Sequence, residues 1–312
     1  MELEIRELPL DDHAGHEAYA AVWNSVVLRE PITPGELARG RRLRADDVRW
    51  VARVDWEIAG CGSAVPSDLP GRTFCRIAML PACRRRGVGT RLLARALAVA
   101  RRHGSALLSG AYEEGDASGE AFAARFGLTE VVREVEIALR LRGDEPVPEP
   151  PPGIEVVTVA SRPELVAQTY ELAAAALPEM PLPVPYSVPS LERWLEEDVS
   201  GPGVIAEATF VAVEDGRVVG FAGLLRREAD PRLAEHGFTA VARSHRRRGI
   251  ATALKQVQIA WAARNGFREL MTFTQEGNVG MQAVNARLGY EPRPAWIRVE
   301  APLERVERLV AE

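Results

Sequence analysis

Lysine is almost missing from this chain: among 39 Lys and Arg residues, Lys255 is the single lysine. Arginine runs are therefore easy to come by, and one such run alone carries little information. Cysteine is scarce as well. Cys61, Cys75 and Cys83 form no C-x-x-C pair and no histidines stand near them at metal-ligand spacing, which excludes a zinc site or a disulfide framework as the organising element. A reducing cytoplasm is the expected compartment. No apolar stretch reaches the roughly 18 residues that a membrane helix needs. The opening "MELEIRELPL" lacks a basic segment followed by an apolar run, so the chain is expected to be neither exported nor membrane-spanning. A basic excess is also absent. With net charge −5 and pI ≈ 5.7 there is no domain-wide field to neutralise a nucleic-acid backbone, and no nucleic-acid partner is expected.

What is present is material for two cores. A length of 312 residues sets an expectation of about two domains. Hydrophobic residues at 46% and charged residues at 27% fit soluble globular domains rather than disordered or fibrous chains. The clearest break is "RGDEPVPEPPPG", Arg142 to Gly153, where clustered prolines remove backbone donors and leave an extended linker. It predicts an N-terminal domain over 1–141, a linker over 142–153 and a C-terminal domain over 154–312. Each half opens alike, with "LEIRELPL" and "IEVVTVA" as strands, then helices from about His13 to Leu28 and from Pro163 to Leu177. Strand pairs follow in "RWVARVDWEIAGCGSAV" and "TFVAVEDGRVVGFAGLL". In the second, "EDGR" (Glu214 to Arg217) marks a hairpin turn, since Asp-Gly readily supplies positive φ.

Two arginine and glycine phrases, "CRRRGVGTRL" from Cys83 and "HRRRGIATAL" from His245, stand 162 positions apart. At that fixed offset, Arg84 to Leu128 against Arg246 to Tyr290 gives 17 identities in 45 positions without a gap, including Gly87/Gly249, Gly104/Gly266, Gly115/Gly277 and Gly127/Gly289. Arginine bias cannot fix the spacing of glycines, so this is an internal repeat. In each copy a strand leads through the arginine turn into a helix, about Val88 to Arg102 and Ile250 to Arg264. Such a turn presents unpaired N–H groups and the positive end of a helix dipole, which together favour phosphate. The predicted ligand is a di- or polyphosphate with a long tail or base. The competing reading is a solvated, arginine-rich helix start without a ligand. A Walker loop is missing, because no Gly-Lys-Ser/Thr follows, and "GVGTRL" lacks the third glycine of the dinucleotide fingerprint.

"MLPACRRRGVGTRLL" and "VARSHRRRGIATALK" resemble the strand-turn-helix motif of the GNAT superfamily of N-acetyltransferases. Its R/Q-x-x-G-x-G/A signature is matched by Arg84, Gly87 and Gly89, and by Arg246, Gly249 and Ala251. "NVGMQAVNARLGY", Asn278 to Tyr290, resembles a second family feature; the first half has only "DASGEAFAARFGL". The resemblance implies an α/β (α+β) chain of two tandem GNAT domains, each a central mixed, mostly antiparallel sheet flanked by helices. Tandem members such as mycothiol synthase are similar in layout. It further implies acetyl-CoA as cofactor. The expected binding residues are Met79, Arg84, Arg85, Arg86, Gly87, Val88, Gly89 and Thr90 in the first copy. In the second they are Val241, Arg246, Arg247, Arg248, Gly249, Ile250, Ala251, Thr252 and Asn278, the last equally suited to cap a helix.

The implied activity is transfer of an acetyl group to a primary amine of a small molecule. In the family a glutamate base can stand six residues before the valine position, which is Glu235 in the second half and Thr73 in the first. That asymmetry points to a catalytic C-terminal half and an N-terminal half that is structural or retains coenzyme. The tyrosine acid of many members is replaced by Asn285 and Ala123; Asn285 is carried as a candidate catalytic residue, and a thiol with pKa of about 8.5 can leave without that acid. Glu192, Glu196, Glu197 and Asp198 would suit a cationic acceptor or simply face solvent. A monomer or homodimer without metal or membrane partner is expected. The alternative is a non-enzymatic acyl-CoA-binding or scaffolding protein.

Overall fold

The computed structural model describes residues 2–44, 46–67, 69–180, 187–201, 203–275 and 277–312. Two compact units emerge: Met1–Arg133 together with Ala295–Glu312, and Glu134–Pro294. The first opens with strand β1 (Leu3–Glu7), helices α1 (His13–Val26) and α2 (Pro34–Leu43), then strands β2 (Val48–Val54), β3 (Glu57–Pro66) and β4 (Arg72–Met79). Helix α3 (Val88–Arg102), strand β5 (Leu107–Glu113) and helix α4 (Ala117–Arg125) follow. The chain leaves this unit along β6 (Thr129–Arg140).

The second unit repeats the order with β7 (Glu155–Thr158), α5 (Val166–Ala176), α6 (Leu191–Trp194), β8 (Phe210–Glu214), β9 (Arg217–Arg226) and β10 (Leu233–Val241). Helix α7 (Ile250–Arg264), β11 (Glu269–Gln275), α8 (Val279–Arg287) and β12 (Glu291–Pro292) complete it. Strand β13 (Trp296–Pro302) and helix α9 (Leu303–Ala311) then belong to the first unit.

Each unit carries a mixed sheet that is antiparallel except for one parallel pair, β4 with β5 and β10 with β11. The last strands are exchanged. From Glu134 to Arg140, β6 pairs antiparallel with β11, while β13 pairs antiparallel with β5. The boundaries expected from the prolines, 1–141, 142–153 and 154–312, therefore do not coincide with the compact units. Proline interrupts pairing locally, but it does not decide which sheet a strand joins.

Packing follows the apolar spacing of the helices. On α3, Val88, Leu92, Leu93, Ala96, Leu97 and Ala100 recur at three- and four-residue intervals and are buried with Ile297, Val299, Leu303 and Val306. Helix α9, unanticipated from the sequence, lays Leu303 and Val306 into the same core, and Arg101 Nη2 meets Glu307 Oε2 at 2.5 Å. In the second unit α7 buries Ile250, Leu254, Ile259 and Ala262 against Phe210, Val219, Leu224 and Leu270. The opposite sheet faces are covered by α1 and α2 in one unit and by α5 and α6 in the other.

Helix α1 ends at Val26, two residues short of expectation. Helix α5 begins after a 3-10 turn, Pro163–Leu165, because proline suits a first turn but donates no hydrogen bond. The hairpin at Asp215 and Gly216 has φ of 49° and 75°, as Asp-Gly predicts. Its counterpart at Asp55 and Trp56 adopts 49° and 72° without a glycine. Among the described residues no helix is long and apolar enough to cross a membrane.

Candidate active site

Both arginine turns have the same backbone. Arg85 and Arg247 are held at φ 63°, and Gly87 and Gly249 at 79° and 83°, the left-handed region where a side chain costs energy and glycine does not. Left-handed residues placed among extended or right-handed ones bring successive N–H groups into one concavity, a geometry that favours anions. Helices α3 and α7 then start with no side chain capping them. The contrast is internal: Asp12, Thr33, Asp116 and Asn278 each accept a backbone N–H at the start of α1, α2, α4 and α8. Helices α5 and α9 also start without a side-chain cap, but of these four starts only those of α3 and α7 follow a turn of arginines and glycines. Val88 and Ile250 point into the cores and anchor the turns from below; Gly89, Thr90, Ala251 and Thr252 are half-buried in the first helical turn.

The leading arginines differ from a simple anion grip. Arg84 Nε donates to the Met79 carbonyl at 3.2 Å, and Arg246 Nε donates to the Val241 carbonyl at 3.2 Å. Each braces the end of its strand against the turn. Arg85 and Arg86 are exposed and have no hydrogen bond or ion pair among the described residues. In the second turn Arg246 also meets Glu179, and Arg248 meets Glu214.

Above each turn a parallel strand pair comes apart. β4 pairs with β5 only over Arg72–Phe74, and β10 with β11 only over Leu233–Glu235, although β4 runs to Met79 and β10 to Val241. The edges beyond those three registers keep backbone groups without a strand partner, which suits an extended ligand carrying amides. Only β10 is irregular here. Between His236 and Thr239 its register against β9 slips by one residue, whereas β4 pairs with β3 without interruption from Thr73 to Met79.

That extra residue corrects the comparison of the two halves. Measured by pairing, Glu235 lies opposite Met271 and Leu225, and Phe74 lies opposite the corresponding Ser109 and Val65. The counterpart of Glu235 is thus Phe74, not Thr73. An ungapped alignment holds only below the bulge. Thr73 is a buried structural residue whose hydroxyl is 2.8 Å from Ser105 Oγ. Glu235 is one-fifth exposed and accepts from Arg227 Nη1 at 2.7 Å, so a proton would be taken up facing a guanidinium.

His236, the next residue, is turned into the core. Gln258 donates to the Ala208 and Ala222 carbonyls at 3.1 and 2.8 Å, which leaves its Oε1 to accept from His236 Nδ1 at 2.9 Å. The other ring nitrogen, Nε2, accepts from the Tyr290 hydroxyl. Burial, then the neighbouring Lys255 charge, holds the imidazole well below its ordinary range, so it is neutral at neutral pH. His236 is a fixed structural group.

Asn278 caps α8, its Oδ1 accepting from Met281 N at 3.2 Å. Its replacement by alanine should cost about 1 kcal/mol in a denaturant titration, and replacement by aspartate much less. Asn285 is buried on α8, 1% exposed, and does not reach solvent. Part of the acceptor segment expected over 178–203 lies outside the described residues, at 181–186 and 202. Beyond it, Glu197 accepts from Arg193 Nε at 3.0 Å. Asp198 is half-buried, and burial followed by the Glu197 charge pushes its carboxyl up to about 6. Asp198 is one of the four acids named from the sequence, but an acidic run gives no sign of which member is enclosed.

The family model described as "Acetyltransferase (GNAT) family" matches the chain twice, over residues 13–128 and 168–290. Among solved structures, a tandem GNAT protein from the clavulanic acid biosynthesis pathway shares 22% identity, with a TM-score of 0.77 over 97% of this chain and 99% of that one. A GCN5-related N-acetyltransferase from Sphaerobacter thermophilus shares 21% identity, with a TM-score of 0.73 over 96% of each chain. A putative acetyltransferase from Pyrococcus horikoshii shares 16%, with a TM-score of 0.60 over 96% of this chain and 89% of that one. No curated protein matches the chain. With the signature turn, the open helix start and the parting strands present in both copies, and the family model spanning both, this chain belongs to the acetyltransferase (GNAT) family as a tandem of two GNAT repeats.

Proposed function

We propose that the protein transfers an acetyl group from acetyl-CoA to a primary amine of a small molecule, with the chemistry in the unit Glu134–Pro294. The observation that carries this reading is the bulge in β10, which coincides with the parting of β10 from β11 above an uncapped helix. A bulge re-aims side chains and frees backbone donors next to it. Acetyl-CoA supplies the acyl group as a thioester. The amides from Arg247 to Ile250 suit its pyrophosphate, with Arg247 and Thr252 beside them. The backbone at Val241 suits the thioester end, where a fixed N–H stabilises developing negative charge on oxygen.

Glu235 serves as the base that takes a proton from the acceptor ammonium, directly or through water. Its partner Arg227 fixes the carboxylate, at 2.7 Å, on the sheet face opposite α7. Asn285, buried in α8, supports that helix rather than meeting substrate. The thiolate leaves without a tyrosine acid. The unit Met1–Arg133 with Ala295–Glu312 is read as non-catalytic: β4 has no bulge, Phe74 stands in for Glu235, and Ala123 occupies the acid position. These same features favour the second reading, acyl-CoA binding without turnover, for that unit.

Thiol release from acetyl-CoA with a panel of primary amines tests the proposal. Amine-dependent release by the full chain is expected. Binding of acetyl-CoA without release in the presence of any amine would leave only the binding reading.

A further inference from the structure

The two turns share a backbone and differ in their counter-ions. In the second, Glu179 accepts from both Arg243 Nε and Arg246 Nη2 at 2.6 Å. Glu214 accepts from Arg248 Nη2 at 2.5 Å and lies 2.7 Å from His245 Nε2. Arg248, then His245, hold the Glu214 carboxyl down at about 2, and Arg246 and Arg243 hold that of Glu179 low, so both carboxylates are charged at any working pH.

Around the first turn no carboxylate pairs with Arg84, Arg85 or Arg86 among the described residues. Hairpin register explains part of the difference: Glu214 pairs with Arg217 where the first copy pairs Val54 with Glu57, so an apolar residue stands in the place of the glutamate. The linker adds to it. A Cβ on Gly249 would come within 4.0 Å of Pro151 Cγ, and one on Gly153 within 3.5 Å of Glu214 Oε1, whereas a Cβ on Gly87 would meet nothing within 4 Å.

We infer that the tighter coenzyme site is the N-terminal turn, Arg84–Val88, and that Glu179 and Glu214 guard the C-terminal turn as built-in anions which a pyrophosphate must displace. The physics is competition. A carboxylate and a phosphate use the same charge-assisted donors, and two carboxylates held beside a turn repel a third anion. Arg247 is left as the cation of the second turn without an ion pair among the described residues, so that site is weakened rather than abolished. This inference rests on the coenzyme reading above, and it divides labour between the units: one holds coenzyme at rest, the other admits it for chemistry.

Calorimetric titration of the full chain with acetyl-CoA separates the possibilities, with thermal melts confirming that each variant is folded. Two binding events are expected. Replacing Arg85 and Arg86 with alanine should remove the tighter one. Glu179→Gln combined with Glu214→Gln should strengthen the weaker one by about tenfold or more. A single event in the wild type is read the same way, by which substitutions remove it. Loss of the tighter event through Arg247→Ala rather than through Arg85 and Arg86 overturns the inference, as does weaker binding in the glutamine variant. No heat with any variant removes the coenzyme reading itself.

Discussion

Glu235→Gln is expected to lower acetyl transfer by about 100-fold or more at neutral pH, because general base catalysis contributes on the order of 10² to 10⁴. The substitution keeps the shape of the side chain and an acceptor oxygen for Arg227, at 2.7 Å in the wild type, so loss of packing is a poor explanation for a large effect. The pH dependence distinguishes a base from a positioning group. Wild-type activity should fall on the acid side as the base takes up a proton, and that limb should vanish in the variant. Acetyl-CoA affinity, read by calorimetry, should change little by comparison. A variant that turns over at the wild-type rate across the pH range removes Glu235 from the chemistry. The companion substitution Phe74→Glu in the first unit is expected to bring no activity there, since β4 lacks the bulge that accompanies Glu235 in β10.

Lys255→Met is expected to stabilise the fold at pH 7 by roughly 1 to 4 kcal/mol, the gain found when buried ion pairs are replaced by well-packed apolar groups, since an unpaired buried ammonium carries its desolvation cost with no Coulombic return. Lys255 is 1% exposed on α7, and its ammonium has no hydrogen bond or carboxylate partner among the described residues. It lies 5.6 Å from the centre of the Tyr290 ring. Burial brings its pKa down from 10.5 to about 7. The sign of the pH dependence follows. Between about pH 7 and 10.5 the unfolded chain holds this proton and the folded chain does not, so wild-type stability rises with pH across that window. Below pH 7 both states hold it and the full penalty is present. The advantage of the methionine variant should therefore be largest near neutrality and shrink toward pH 10, as melting temperatures of both proteins will show. An advantage that is absent at pH 7, or flat with pH, contradicts this account of Lys255. The first copy carries Leu93 at the equivalent place in α3, also buried, which indicates that an apolar side chain fits.

What could be read from residues alone follows from how local each signal is. Helices α3 and α7 begin and end where the sequence predicts, because the glycine before each and the apolar period along each are local features. The bulge at Gly237 and Phe238 was hidden by the very alignment that revealed the repeat. Below it an offset of 162 relates the copies; above it, Phe74 and Glu235 are related by 161. Strand exchange was equally out of reach, since the apolar alternation of β6 and β13 does not name the sheet they join. Helix α9 was legible in principle: "LERVERLVAE" repeats apolar residues at three- and four-residue spacing. The guarding glutamates stand 64 to 67 and 31 to 34 residues from their partners, too far for any local pattern. In the sequence they look like ordinary surface acids.

The central claim is that backbone amides at the arginine turns hold the pyrophosphate of acetyl-CoA. A crystal structure grown with acetyl-CoA tests it directly. Electron density for the two phosphates against the amides of 85–88, with a second and weaker copy against 247–250, is the result this account predicts. Coenzyme density elsewhere on the chain, with both turns filled by solvent, would contradict it.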